Sequence, residues 1–213
     1  MGKSDPYILE FYKSILPDCF YESVALLGNQ KDNSFTASIK CQEKDFYDLA
    51  LDNWNINDEI WKIDKKYDLV VSTRCPYFSK DPKAFIEKCL SMLKPGGTAL
   101  LDWGLGDHWR FDNYKIGWVK DGEHEYAYEE DNFLWSFIWD DSFLENSEFK
   151  KFEKNVLKHG YTSVKNAIFK EVPAILELKD ITDSYFIGYS ILSLWEDLPQ
   201  LYVPLILKNK ERK

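Results

Sequence analysis

The apolar positions of the chain change period several times, and each change marks a predicted element. Ile8, Phe11, Tyr12, Ile15 and Leu16 fall at helical spacing. Asp5 is placed to cap that helix, Pro6 takes its first position, and Pro17 ends it. "SVALLG" (23–28) is a continuous apolar run closed by glycine, the pattern of a buried parallel strand. "SFTASIK" (34–40) alternates and is read as a second strand. The two runs lie only about half a dozen residues apart, whereas a helical crossover between parallel strands needs roughly ten or more. Either the first crossover helix is missing or 34–40 folds back as a hairpin. "EKDFYDLALDNW" (43–54) follows as a short predicted helix.

From Tyr67 the pattern reads strand, loop, helix, turn, strand. "YDLVVST" (67–73) is the clearest strand. Asp81 and Pro82 open a helix whose apolar stripe is Phe85, Ile86, Cys89, Leu90 and Leu93. "KPGG" (94–97) is expected to stop it, with glycine as a left-handed cap, before the strand "TALLDW" (98–103). Such a unit implies a right-handed parallel crossover. Residues 104–143 carry most of the tryptophans among many acids, and "EHEYAYEEDNFLWSFIW" suggests a β-ribbon turning at 120–122. "SEFKKFEKNVLKHGY" (147–161) reads as a helix capped by Ser147 and stopped by Gly160. "SVKNAIFKEV" and "SYFIGYSILSLW" read as two further strands, an antiparallel closing pair, and the basic tail "LKNKERK" as a frayed end. The fold class expected is α/β: a Rossmann-like, mostly parallel sheet with helices on both faces, closed by antiparallel strands and carrying an aromatic-rich β insertion. The expected organisation is a single domain over 1–213, with an insertion or lid at about 104–143.

Charge and cysteine usage narrow the partners. A net charge of −9 disfavours nucleic acid and anionic membrane surfaces. The four cysteines, Cys19, Cys41, Cys75 and Cys89, form no C-x-x-C pair, which leaves no zinc or dithiol signature. With no signal peptide, myristoylation pattern or membrane-length apolar run in the sequence, the expected location is cytoplasmic.

Asp68-Leu69-Val70-Val71, Asp81-Pro82 and Leu93-Lys94-Pro95-Gly96-Gly97 before "TALLDW" stand in one strand-helix-strand frame. In that frame the chain resembles the class I methyltransferases that use S-adenosylmethionine, in particular the type 11 group. His159-Gly160-Tyr161 matches the turn before that family's closing strands. The resemblance implies a seven-stranded, mostly parallel sheet. It implies S-adenosylmethionine as cofactor, bound outside the strands' carboxyl ends near the switch point. The implied cofactor residues are Gly28, Asn29, Gln30, Ser72, Thr73, Arg74 and Asp102. The chain departs from the family pattern in its first half. Gly28 matches the first glycine of the cofactor loop, but Gln30 and Asp32 stand at the next two, and each puts a side chain into space the ligand would use. Leu26 stands where an acid is expected. The acid that would hold the ribose hydroxyls has Glu43 and Asp45 as nearest candidates, and Arg74 to Phe78 replace the family's Glu and His.

Methyl transfer needs alignment and sometimes a base, so it leaves no obligatory triad. "DWGLGDHWR" (102–110) leaves a strand's carboxyl end, and it supplies Asp107 and His108 as a base pair and Arg110 as an anion holder; these three are the candidate catalytic residues. The bland alternative is a packed, solvated loop. His124 lies between Glu123 and Glu125 on a predicted strand, a geometry that disfavours one metal site made from the triplet. His108 and His124 could still meet Asp107 across the insertion as a metal site, but solvated hairpin charges are the reading adopted and no metal is expected. The aromatic cluster, Trp103, Trp109, Trp118, Tyr126, Tyr128, Trp135 and Trp139, suits a core for the insertion, a homodimer contact or a wall for a flat substrate. Cys75 has no basic neighbour in sequence and is read as a packed thiol. Two functions follow. One is S-adenosylmethionine-dependent methyl transfer to a small molecule. The other is a non-catalytic protein that keeps the fold, has lost the cofactor and serves as a binding or oligomerisation module. A nucleotide crevice is a third, disfavoured by the missing P-loop.

Overall fold

The computed structural model describes residues 5–52, 54–76, 79, 81–105, 118–120, 123–126, 145–158, 185–195 and 199–210. In chain order these form α1 (Asp5–Ile15), β1 (Tyr21–Leu27), β2 (Cys41–Tyr47), α2 (Leu49–Asp52), β3 (Tyr67–Ser72), α3 (Pro82–Ser91), β4 (Leu93–Leu105), β5 (Trp118–Lys120), β6 (Glu123–Tyr126), α4 (Ser147–Lys158), β7 (Tyr185–Tyr189), β8 (Leu192–Trp195) and β9 (Pro199–Asn209). The main sheet has seven strands in the order β2-β1-β3-β4-β9-β7, with β8 paired to β9. β2, β1, β3 and β4 run parallel, and β7 and β8 pair antiparallel with β9. The expected α/β class and mostly parallel sheet are thus present.

Contacts divide the chain into two compact units. The first holds α1 through Trp103 of β4, β7, and β9 from Val203 onward. Its core is built from strand interiors: Val24, Ala25, Leu26 and Leu27 of β1, Leu69, Val70 and Val71 of β3, and Ala99, Leu100 and Leu101 of β4 are all fully buried. Both faces of these strands are covered, so the runs are continuous rather than alternating. The second unit holds β5, β6, α4, β8 and Pro199–Tyr202 of β9. There β5 and β6 pair antiparallel as the expected ribbon, and Phe149 and Phe152 of α4 are buried.

Several boundaries differ from expectation for identifiable reasons. Residues 34–40 are not a strand. The Asn33 side chain accepts from the backbone N–H of Phe35 and of Thr36, both at 2.9 Å, and folds Thr36–Ser38 into a 3₁₀ turn. The second strand is instead 41–47, parallel to β1, so a 3₁₀ turn stands where a crossover helix would. The short helix read over 43–54 shrinks to α2, opened by Asp48, whose carboxylate accepts from Ala50 N–H at 2.9 Å. Asn146 rather than Ser147 caps α4, accepting from Glu148 N–H at 2.9 Å. The tail is ordered through Asn209, because Leu205 and Leu207 bury on one side of β9 while its backbone pairs with β7. The stretch 163–172, read as a strand, and the stop at Gly160 lie outside the described residues.

"KPGG" has a different role from the one expected. α3 opens as predicted, with Asp81 accepting from Ala84 N–H at 2.9 Å, but it ends at Met92 in a right-handed conformation. β4 then begins at Leu93, opposite Tyr67, and the register jumps to Thr98 opposite Leu69. Lys94-Pro95-Gly96-Gly97 is therefore a bulge inside the strand. Gly96 has φ 76°, and a Cβ on Gly97 would lie 2.9 Å from Lys94 O and 3.0 Å from Tyr67 O. Asp68 locks the bulge. It accepts from Ser23 N–H at 2.9 Å and from the Lys94 ammonium at 3.0 Å. Burial pushes its carboxyl up, but the Lys94 and Ser23 hydrogen bonds outweigh this and hold its pKa below the usual range. We expect Gly97→Ala to lower stability by about 1–3 kcal/mol in urea unfolding, because backbone oxygens cannot retreat from the new methyl. A loss under about 0.5 kcal/mol would show that the bulge relaxes freely.

Candidate functional site at the strand carboxyl ends

The order β2-β1-β3 puts the topological switch between β1 and β3, where ligands of open α/β sheets bind. β1 ends in Gly28 with φ 73°, and β3 runs into Arg74 with φ 58°. Among the described residues Arg74 is the non-glycine residue at positive φ, a conformation that costs a side-chain-bearing residue roughly 1–2 kcal/mol. The surroundings hold it there. Its backbone N–H donates to the Asp102 carboxylate at 2.5 Å, and its guanidinium ion-pairs with Asp5. The Tyr12 hydroxyl donates to the other Asp102 oxygen. Tyr12 is itself fixed edge-on against Phe35, with ring centroids 5.6 Å apart. Thus α1, the loop after β3 and the end of β4 meet in one polar network.

Asp102 is wholly buried. Burial raises its pKa from 3.8 to about 6, against the opposing pull of Tyr12, the Arg74 N–H and the Arg74 charge. A carboxyl whose pKa rises on folding binds protons more tightly when folded. Its contribution to stability is therefore greatest below about pH 4 and declines as pH rises toward 6.

The other predicted cofactor residues pack and pair within the sheet and its loops. Gly28 donates its N–H to Tyr47 O at 2.7 Å. A Cβ on it would lie 2.4 Å from Cys75 Sγ, so its side-chain direction is already filled by that thiol. Cys75 is buried, and burial pushes its thiol up to about 12, in keeping with a packed residue. Ser72 is buried and donates to Leu27 O at 3.2 Å, stapling β1 to β3. Thr73 is buried beside it. The Asn29 amide donates back to Leu27 O at 3.2 Å. Gln30 donates to Asp48 at 3.1 Å, and Asp32 is drawn to Lys44 at 2.9 Å. Both replacements for the expected glycines therefore have their side chains tied to β2 or to the residue after it. Leu26 is fully buried in the sheet.

Two acids that the sequence reading does not place at the site are Asp48 and Asp5. Glu43 and Asp45 lie within β2 and pair with Lys65, at 2.5 and 2.7 Å. The acid immediately after β2 is Asp48, which the misplaced second strand concealed. Asp5 was read as a helix cap, yet its carboxylate reaches Arg74, far away in sequence. His108, Asp107 and Arg110 lie outside the described residues, as do the side chains of the aromatic cluster around them. Among the described residues no group of three or more His, Cys, Asp or Glu could hold a metal, and no helix is long and apolar enough to cross a membrane.

The donor set suits S-adenosylmethionine in part. Asp48 and Gln30 offer an acceptor and a donor for a ribose diol beyond β2, and Arg74 with Asp5 offers a cation and an anion for an α-amino acid end. The space beside Gly28 offers nothing, because Cys75 fills it.

No family model and no curated protein matches the chain. Among solved structures it is similar to YcgJ of Bacillus subtilis, at 11% identity over 99% of each chain, with a TM-score of 0.45. It is also similar to an S-adenosylmethionine-dependent methyltransferase of Clostridium acetobutylicum (13%, 97% of this chain and 90% of that one, 0.42) and to one of Thermotoga maritima (14%, 95% and 87%, 0.38).

If Asp102 and its partners hold Arg74 left-handed, Arg74→Gly should be more stable than Arg74→Ala by about 1 kcal/mol in thermal or urea unfolding. Both variants lose the Asp5 ion pair, so their difference isolates the backbone. An alanine variant equal to or better than glycine would show that Arg74 is not left-handed in solution.

Proposed function

We propose that the chain transfers a methyl group from S-adenosylmethionine to a small-molecule substrate at the carboxyl ends of β1, β3 and β4. The observation that carries this reading is the switch point itself. A left-handed glycine and a left-handed arginine end adjacent parallel strands there, and a buried carboxylate of raised pKa holds the arginine. Backbone strain and a perturbed carboxyl gather at functional sites more often than at structural ones. The residue pattern Asp68…Asp81-Pro82…Leu93-Lys94-Pro95-Gly96-Gly97 adds the family resemblance.

In this reading the cofactor supplies an electrophilic methyl group on a sulfonium. Asp48 would accept hydrogen bonds from its ribose hydroxyls, with Gln30 as a donor beside it. Arg74, ion-paired with Asp5, would hold the carboxylate of the cofactor's amino acid end, and Asp5 its ammonium. Asp102 acts through Arg74 and Tyr12 as a positioning residue. The candidate residues for the substrate remain those read from the sequence, Arg110 for an anionic group and His108 with Asp107 for the proton its nucleophile releases.

A second reading is favoured by one observation, the Cys75 thiol against Gly28. It accounts for the glycine by packing and positive φ alone, with no ligand. In that reading the fold is a scaffold and the aromatic insertion is its contact surface, including for a second copy.

Calorimetric titration of S-adenosylmethionine and S-adenosylhomocysteine separates the two. Methyl transfer predicts saturable binding, weakened roughly tenfold by Asp48→Asn through loss of a charged hydrogen-bond acceptor. Absence of heat and of thermal shift at millimolar ligand would sink the enzyme reading and leave the scaffold.

A further inference from the structure

The proposed methyl donor and its product differ at the reacting atom by one charge. S-adenosylmethionine carries a sulfonium and S-adenosylhomocysteine a neutral thioether, while both carry the same α-ammonium and α-carboxylate. The charge beside the crevice therefore decides which of the two it prefers. Asp102 is a wholly buried carboxyl at these strand ends. From α1, the Tyr12 hydroxyl meets its Oδ2, and the Asp5 carboxylate meets the Arg74 guanidinium. From the loop after β3, the Arg74 N–H meets its Oδ1 at 2.5 Å, and the Cys75 thiol lies under the joint influence of Asp102 and of Asp48 beyond β2. Asp5 and Arg74 cancel as a pair. Among these described residues, an ionised Asp102 thus adds a negative charge with no cation of its own, and a protonated one does not.

The geometry accommodates both forms of Asp102. The Arg74 N–H can only donate, so Oδ1 must accept. The Tyr12 hydroxyl can donate or accept, so a proton on Oδ2 meets the same neighbour. Protonation reverses that one hydrogen bond and leaves α1, the loop and β4 joined. Burial brings the proton within reach of mild pH, raising the pKa from 3.8 to about 6. The carboxyl is also tied to the ligand. The residue whose N–H it holds is the one whose guanidinium would take the α-carboxylate, and two methylene groups separate the sulfonium from that amino acid end. Water is excluded around Asp102, so its charge is weakly screened over that distance.

We propose that Asp102 sets the preference for S-adenosylmethionine over S-adenosylhomocysteine, by giving up its proton when the sulfonium binds and taking one back when the neutral product remains. The inference rests on the methyl-transfer reading and adds a proton-linked regulation to it. The sulfonium favours the carboxylate form, so cofactor binding expels the proton to solvent, and by reciprocity the proton opposes the cofactor. Affinity for S-adenosylmethionine then rises as pH is raised through 6 and levels off above it. Affinity for the product, which lacks the extra charge, stays flat over the same range. Methyl transfer removes the sulfonium charge, and with it the interaction that retains the cofactor.

Calorimetric titration at pH 6, in two buffers of different protonation enthalpy, measures the protons exchanged on binding. The α-ammonium of both ligands keeps its proton at that pH, so a proton released comes from the protein. S-adenosylmethionine should release up to about half a proton per site, the amount an acid holds at its own pKa, and S-adenosylhomocysteine close to none. Between pH 5 and 7 the preference for S-adenosylmethionine should grow about tenfold. Asp102→Asn should bind the cofactor without the release. Tyr12→Phe removes a hydrogen bond that favours the ionised form, and should move the release to higher pH. Equal release with both ligands, release that persists in Asp102→Asn, or binding of S-adenosylmethionine with no release would overturn the inference and leave the methyl-transfer reading standing. Failure of both ligands to bind at millimolar concentration would remove the two together.

Discussion

A single buried carboxylate organises the carboxyl ends of this sheet. Asp102 is sealed from solvent, and the groups that meet its two oxygens come from different parts of the chain: the Arg74 backbone after β3 and the Tyr12 hydroxyl on α1. Leaving a charge in such a place without partners would cost several kcal/mol. The partners are therefore obligatory, and each carries something with it. Arg74 brings its left-handed backbone and its guanidinium, and through Asp5 it ties down the start of α1. Tyr12 fixes the middle of the same helix against Phe35. The helix, the loop and the strand end are positioned together or not at all.

A second carboxylate, Asp68, does comparable work at the opposite end of the parallel strands. It joins β1 through Ser23 to the bulge through Lys94, and so sets the register of β1, β3 and β4. The two acids divide the labour. Asp68 is half solvated and held ionised by its partners, which suits a structural clamp. Asp102 is dry, with a pKa raised to about 6, which leaves it responsive to what binds nearby. The motif with the strongest family resemblance, the aspartate of β3 and Lys-Pro-Gly-Gly, therefore belongs to the scaffold rather than to the ligand crevice.

This division explains what could be read from the residues beforehand. β1, β3 and α3 were legible because their signals are local: apolar runs, an Asp-Pro helix start and a stripe of five apolar residues that all proved buried. β2 was misplaced by one element because the decisive signal is an Asn33 side chain turning the chain into a 3₁₀ turn, and alternation in "SFTASIK" mimics a strand. That error hid Asp48. β9 was missed because Pro199 and Pro204 interrupt its pattern, although the Pro204 carbonyl still pairs with Ser190 N–H at 3.1 Å. Gly28, Arg74 and Asp102 were placed correctly at the strand ends. What joins them was not legible, because the contacts from Asp5 to Arg74 and from Tyr12 to Asp102 span most of the first unit and obey no periodicity.

The claim beneath this account is that Asp102 is a dry, caged carboxyl seated under α1. It can be measured directly by following the Asp102 side-chain carboxyl carbon by NMR as pH is varied, with Asp102→Asn used to assign the signal. The account predicts a titration midpoint near 6. A midpoint near 4, the value of a solvated aspartate, would mean that water reaches the carboxylate and that α1 and Arg74 do not enclose it.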